Sequence, residues 1–180
     1  MTCIVGLVHN NKVYMGGDSA GVSGYDITVR EDPKVFNNNG FIIGFTTSFR
    51  MGQILRFQFK PPKVKGKDIY KYMCTEFIEA IRKTFKTTGF LKVHSLEESG
   101  GTFLVGYKGH LFSIDKDFQV GIPTDKFDSV GCGCAYALGS MYTSEYLGNT
   151  ITPKERIELA LQTATYFNAG VRKPFIICEE

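Results

Sequence analysis

The grouping of periodicities constrains this chain more than any single residue does. Strand-like runs come in turn-linked sets, and helix-like runs come in pairs between those sets. Cys3 to Val8 and Val13 to Met15 are apolar and β-branched, separated by His9-Asn10-Asn11-Lys12. Asparagine tolerates positive φ and bonds its own backbone, so that segment reads as a turn and the pair as a hairpin. A loop through Gly21, Ser23 and Gly24 leads to a strand over Tyr25 to Val29. Val35-Phe36 and Phe41 to Phe45 flank Asn37-Asn38-Asn39-Gly40, whose Asn-Gly pair favours a type I′ hairpin turn. Thr102 to Tyr107 and His110 to Ile114 flank Lys108-Gly109, and Gln119 to Ile122 and Phe127 to Val130 are shorter strand candidates.

The helical stretches carry their own punctuation. Ser48 to about Phe59 places Met51, Ile54, Leu55 and Gln58 on one face and stops before Pro61-Pro62. Lys60, Lys63, Lys65 and Lys67 then read as a solvated linker. Asp68 caps a second helix, in which Ile69, Tyr72, Met73, Phe77, Ala80, Ile81 and Phe85 form one apolar stripe. A third helix runs from about Ala135 to Leu147. Thr152-Pro153-Lys154-Glu155 starts a fourth, with a threonine cap, proline at the first helical position and glutamate at the third. Pro174 to Cys178 reads as an edge strand. Helices in pairs and strands in antiparallel sets exclude a βαβ alternation and indicate the α+β class. Residues 1–180 show no internal repeat and no low-complexity segment, and read as one domain.

Composition removes several functions. Lysine and arginine number 21 against 18 acidic residues, a net charge of +3, too balanced for a nucleic-acid binder. No run of about 18 apolar residues exists to span a membrane, and the first residues show no basic region or cleavage pattern of a secretory signal. Five cysteines at irregular spacing do not form a disulfide framework and suit a reducing cytoplasm. Cys132 and Cys134 form one close pair with no second pair, and the three histidines are scattered, so no metal site is expected. Gly131-Cys132-Gly133 lacks the preceding βαβ unit and following acid of a dinucleotide loop. There is no Gly-x-Ser-x-Gly elbow, and Glu97-Glu98 and Asp115/Asp117 fall in loop-like stretches.

One feature near the start carries chemistry. If Met1 is removed, Thr2 combines a nucleophilic hydroxyl with an α-amine of pKa near ~8 that can take its proton. With Met1 in place that nitrogen is an amide and cannot act as a base. Such chemistry needs a nearby cation and an anion to hold it. Lys34 and Asp18 are candidates, because Asp18 ends the second strand and Lys34 opens a later one.

On these residues the sequence resembles the proteasome β-subunit family of N-terminal-nucleophile hydrolases, and in particular its bacterial members partnered by an ATP-driven unfoldase. Thr2-Cys3-Ile4-Val5-Gly6 resembles the family's opening strand, Gly16-Gly17-Asp18 the end of its second, and Asp32-Pro33-Lys34-Val35 its lysine element. The intervals Thr2 to Asp18 and Asp18 to Lys34 are each 16 residues, as in that family. Ile42-Ile43-Gly44-Phe45 is similar to the strand end whose glycine amide forms the oxyanion hole. Ser129 to Ala137 is similar to the family's Ile-Gly-Ser-Gly-x-x-Tyr-Ala turn.

The resemblance implies a four-layer αββα sandwich of two antiparallel sheets between helix layers. It implies Thr2 as nucleophile and base, Lys34 as electrostatic partner, Asp18 as its orienter and Gly44 as oxyanion donor. Cys132 and Gly133 would support the amine, and Ile42 would face the substrate side-chain pocket. It further implies hydrolysis of peptides or unfolded proteins in a homo-oligomeric ring, without a cofactor, with an ATP-dependent unfoldase as the partner a closed chamber would call for. Two departures stand out. Cys132 replaces the usual serine, and the Tyr166 to Gly170 stretch has Asn168 where the family often has a carboxylate. These departures favour one alternative, a catalytically inactive structural or binding subunit. The other alternative is an N-terminal-nucleophile hydrolase of a small amide.

Overall fold

Asparagine decides where the first strands fold back. Asn10 and Asn11 sit at φ 49° and 57°, and Asn39 and Gly40 at φ 52° and 83°. These left-handed positions cost asparagine and glycine little, so they close tight hairpins. The computed structural model describes residues 1–146 and 148–180. In chain order the first strands are β1 (Cys3–His9), β2 (Lys12–Gly17), β3 (Ala20–Ser23), β4 (Asp26–Val29), β5 (Val35–Asn38) and β6 (Phe41–Phe45). Helices α1 (Phe49–Phe57) and α2 (Ile69–Tyr72) follow, then a π-helical turn (Met73–Phe77) and α3 (Ile78–Thr87). Next come β7 (Lys92–His94), β8 (Glu97–Ser99), β9 (Phe103–Tyr107), β10 (His110–Ile114), β11 (Val120–Gly121) and β12 (Phe127–Gly131). The chain closes with α4 (Cys134–Glu145), a 3₁₀ turn (Gly148–Thr150), α5 (Pro153–Phe167) and β13 (Ile176–Glu179).

The strands form two main antiparallel sheets. The first has the order β12-β1-β2-β13 and the second β11-β10-β9-β6-β5. Three cores stack through the molecule. Ile4, Val13, Met15, Val35, Ile42, Leu104 and Leu111 pack between the two sheets. Cys3, Val5, Leu7 and Phe127 meet Ala137, Met141, Ile157, Ala160 and Leu161, so α4 and α5 cover the outer face of the first sheet. Ile43, Phe45, Phe103 and Val105 meet Met51, Ile54, Phe77, Ile81 and Phe85, so α1 to α3 cover the second. Strand alternation explains this: odd residues of β6 face the helices and even ones face the other sheet. The result is the four-layer αββα arrangement.

Capping follows the sequence closely. The Asp68 side chain accepts the Lys71 amide at 2.9 Å. Thr152 and Glu155 form a reciprocal capping box ahead of α5. Asn38, buried beneath α1, donates to the carbonyls of Leu55 and Phe59 at 2.8 and 3.0 Å, filling acceptors that a helix end leaves open.

Four segments differ from the sequence reading. Residues 20–23 are strand β3, paired Ala20 to Val29 with β4, and not a loop; Gly24 at φ 60° supplies the turn. Glu97 and Glu98 lie in β8, paired with β7, and not in a loop. Both strands are short and poor in large apolar residues, so no apolar alternation betrays them. The helix over residues 69–85 is broken by the π-helical turn. The helix expected over Ala135 to Leu147 spans Cys134–Glu145, and Leu147 itself lies outside the described residues.

Phe77 joins the rings of Phe41 and Phe59 at 5.1 and 5.2 Å and is fully buried. Phe77→Ala should therefore cost about 3–5 kcal/mol, seen as a lower midpoint in urea unfolding at an unchanged slope.

Candidate active site

Backbone pairing alone brings the first residues of the chain to the end of β2. Ile4 pairs with Gly17 across β1 and β2. Asp18 then lies beside Cys3, and the amide of Cys3 donates to Asp18 Oδ1 at 3.0 Å. Lys34, just before β5, reaches over from the second sheet and donates from Nζ to the same oxygen at 2.8 Å. The other carboxylate oxygen accepts the amides of Ala20 at 2.9 Å and Arg172 at 3.2 Å.

Burial makes this pair consequential. Lys34 and Asp18 are each only 1% exposed. An isolated charge at such depth would be prohibitive, and the four bonds on Asp18 are what make an ionised carboxylate tolerable there. Burial pulls the Lys34 ammonium below the ordinary lysine pKa, and the neighbouring Asp18 charge opposes that pull. The unfolded chain thus holds this proton more tightly than the folded one. Between the lowered folded value and the ordinary value of 10.5, the contribution of Lys34 to stability rises with pH.

Thr2 completes the cluster and is 6% exposed. Its Oγ1 donates to the Met1 carbonyl at 2.5 Å, and Lys34 Nζ donates to that same oxygen at 3.4 Å. Hydroxyl and ammonium therefore converge on one carbonyl. The Thr2 amide donates to Cys132 Sγ at 3.3 Å, and the Thr2 carbonyl receives the Gly133 amide at 3.4 Å. Gly131, at φ 106°, is the residue that lets this turn approach. A Cβ there would lie 2.2 Å from the Thr2 carbonyl oxygen.

The structure brings together Thr2, Asp18, Lys34, Cys132 and Gly133, and it does not bring Ile42 or Gly44 to them. Ile42 is buried between the sheets with Ile4, Met15 and Leu104, so it lines no open pocket. Gly44 pairs with Val35 on one side and Leu104 on the other. A Cβ on Gly44 would lie 2.5 Å from Ile4, so the close approach of the two sheets accounts for the glycine. The amides of Phe45 and Thr46 donate in opposite directions, to Lys34 and Thr102. Alternation turns the Gly44 amide the same way as that of Thr46, toward β9, where Gly44 pairs with Leu104.

Some neighbours escaped the sequence reading. The Phe49 ring lies 5.6 Å from Lys34 Nζ, and Arg172 reaches Asp18 through its backbone, which no side-chain pattern announces. Asn168 was visible only as a missing carboxylate, yet it touches Cys132 twice. The Cys3 thiol is a bystander: burial pushes its pKa up to about 12, so it stays protonated. Among the described residues, no group of three His, Cys, Asp or Glu side chains is placed to hold a metal ion.

No family model matches the chain, and no curated protein matches it. Solved structures do. BPH from Thiobacillus denitrificans, in complex with epoxomicin, superposes at TM-score 0.82 and 18% identity over 99% of this chain and 98% of that one. Eukaryotic HslV from Trypanosoma brucei gives 0.71 at 16% identity, over 99% and 98% of the two chains. Anbu, an ancestral β-subunit from Yersinia bercovieri, gives 0.64 at 14%, over 99% and 81%. The chain thus has the proteasome-β-like N-terminal-nucleophile hydrolase fold.

Removing one member of the buried pair strands the other. Asp18→Ala should lower the unfolding free energy by about 3–5 kcal/mol in chemical denaturation. Combining it with Lys34→Met should restore only part of that, because three backbone amides also lose their acceptor.

Proposed function

We propose that this protein is a threonine-type hydrolase that cleaves peptide bonds with Thr2 as nucleophile. The observation that carries the reading is the shared carbonyl: Thr2 Oγ1 and Lys34 Nζ both point at the oxygen preceding Thr2. Once the chain before Thr2 is removed, that carbonyl leaves and the Thr2 nitrogen becomes a free amine. The amine then lies beside its own hydroxyl and the Lys34 ammonium.

The chemistry follows from these neighbours. The amine accepts the Oγ1 proton as the oxygen attacks a substrate carbonyl. Lys34 lowers the amine's pKa by charge repulsion and stabilises negative charge developing at Oγ1. Asp18 keeps the ammonium aimed, since its other bonds fix it to three backbone amides. The tetrahedral intermediate collapses with loss of the substrate amine, which takes the proton, and leaves an ester on Thr2. Water then adds to the ester, the Thr2 amine accepting its proton, and releases the acid. The amide of Thr47, two residues past the end of β6, makes no bond within the described residues. In this reading it is the donor for the oxyanion.

The likeness to HslV and BPH supports peptides or unfolded proteins as substrates, a ring of identical subunits, and an unfoldase that feeds it. Five free cysteines, none in a disulfide, suit the cytoplasm.

Turnover of fluorogenic peptide amides tests the assignment on protein whose intact mass shows Thr2 as the first residue. Thr2→Ala should abolish turnover with the oligomeric state unchanged. Lys34→Ala should lower kcat by about a hundredfold or more. Full turnover in either variant refutes the roles of Thr2 as nucleophile and Lys34 as its cation. A wild-type protein that begins at Thr2, yet cleaves neither peptide amides nor small acyl-amines, would be an inert subunit.

A further inference from the structure

The lysines between α1 and α2 take no part in the site around Thr2, and neither does a cleft beside α3. We infer that the two meet across copies of this chain: residues 60–67 of one subunit dock in the cleft that α3, the β7–β8 hairpin and the β10–β11 loop form on the next. The inference rests on the reading of the chain as a homo-oligomer and is independent of the role given to Thr2.

The segment reads Lys-Pro-Pro-Lys-Val-Lys-Gly-Lys, and all four of its lysines are exposed. None of them forms an ion pair within the described residues. Its backbone is nonetheless held. The Tyr72 hydroxyl donates to the Pro62 carbonyl at 2.7 Å, and Val64 packs against the helix-side core of the second sheet. A partner surface therefore meets four cationic side chains on a pinned backbone, and docking orders little that is not already ordered.

The cleft has the complementary character. It measures about 740 Å³, with buried Ile78 and Phe118 as its apolar floor. Glu79, Glu97, Glu98 and Asp117 line it with four carboxylates against two cations, Arg82 and Lys116. Arg82 is committed to Glu79 and Glu98 at 2.5 and 2.6 Å, while Glu97 and Asp117 form no salt bridge among the described residues. Leu96, on the hairpin tip, also lines the cleft, yet it is 96% exposed and held at φ 72°. A left-handed leucine turned to water is strained and buries nothing, so the prolines of the docking segment would give it apolar cover. Tyr72, bonded to the segment, and Arg82, in the cleft wall, lie ten residues apart on one helical run, or about 15 Å. Segment and cleft are thus separate surfaces, and one subunit can use both at once. Such a heterologous contact repeats head to tail and closes into a ring where the rotation allows.

Cross-linking and sedimentation test the contact on the full chain. A carbodiimide, which joins amines to carboxylates without a spacer, should yield a covalent dimer whose linked peptides pair Lys63 or Lys65 with Glu97 or Asp117. In analytical ultracentrifugation, Lys63→Glu with Lys65→Glu should raise the concentration needed for assembly about tenfold or more. Glu97→Lys with Asp117→Asn should do the same, the asparagine keeping the bond from the Gln119 amide. All four side chains are exposed, so the fold is kept. Uniting the four changes in one chain should recover most of the loss, because the charges are then exchanged. Wild-type assembly by both paired variants overturns the contact while the homo-oligomer stands. So does a loss that the fourfold variant fails to recover, or a cross-linked dimer in which the two segments are never joined. A wild-type chain that stays monomeric at every concentration would instead overturn the homo-oligomer reading, and the contact with it.

Discussion

A lysine and an aspartate sealed from water hold this structure to one arrangement. Lys34 comes from the second sheet and Asp18 from the first, so their bond is also a clamp between the two. Neither charge is tolerable alone at that depth. The carboxylate is satisfied only because the backbone of Cys3, Ala20 and Arg172 arrives from three parts of the chain. Position the pair, and the start of β1, the end of β2 and the loop after α5 are positioned with it.

The layers exist to make that convergence accurate. The two sheets pack closely at Gly44, which admits Ile4 and Met15 where a side chain would collide. Helices on each outer face absorb the remaining apolar surface, with α5 bearing on β1 and β2 and α1 on β6. The cluster of Thr2, Asp18 and Lys34 proposed to carry the chemistry is buried beside the inter-sheet core. There the low-polarity interior strengthens the electrostatic effects on which the proposed role of Thr2 depends.

Much of this was legible from residues. Asn10-Asn11 and Asn39-Gly40 announced their hairpins, because few other residues accept those angles. Thr152-Pro153 and Asp68 announced their helices. The sequence also singled out Thr2, Asp18 and Lys34, because a self-contained nucleophile and base needs a cation and an anchor. Two kinds of information stayed hidden. Strand parity was one: Ile42 and Gly44 match a family motif, yet one step along β6 decides whether a group faces the core, the ladder or Thr2. Backbone partners were the other. The Arg172 amide on Asp18 and the amide of Gly133 on Thr2 belong to no residue type. Asn168 was readable only as an absence until its contacts with Cys132 gave it a place.

The most direct test of a self-activating Thr2 is covalent capture. A peptide epoxyketone is incubated with protein that begins at Thr2, and the modified residue is mapped by tandem mass spectrometry. One adduct per chain is expected, on Thr2, lost when Lys34 is replaced by alanine. An unmodified Thr2, or an adduct on the exposed thiol of Cys132 in its place, would contradict the assignment.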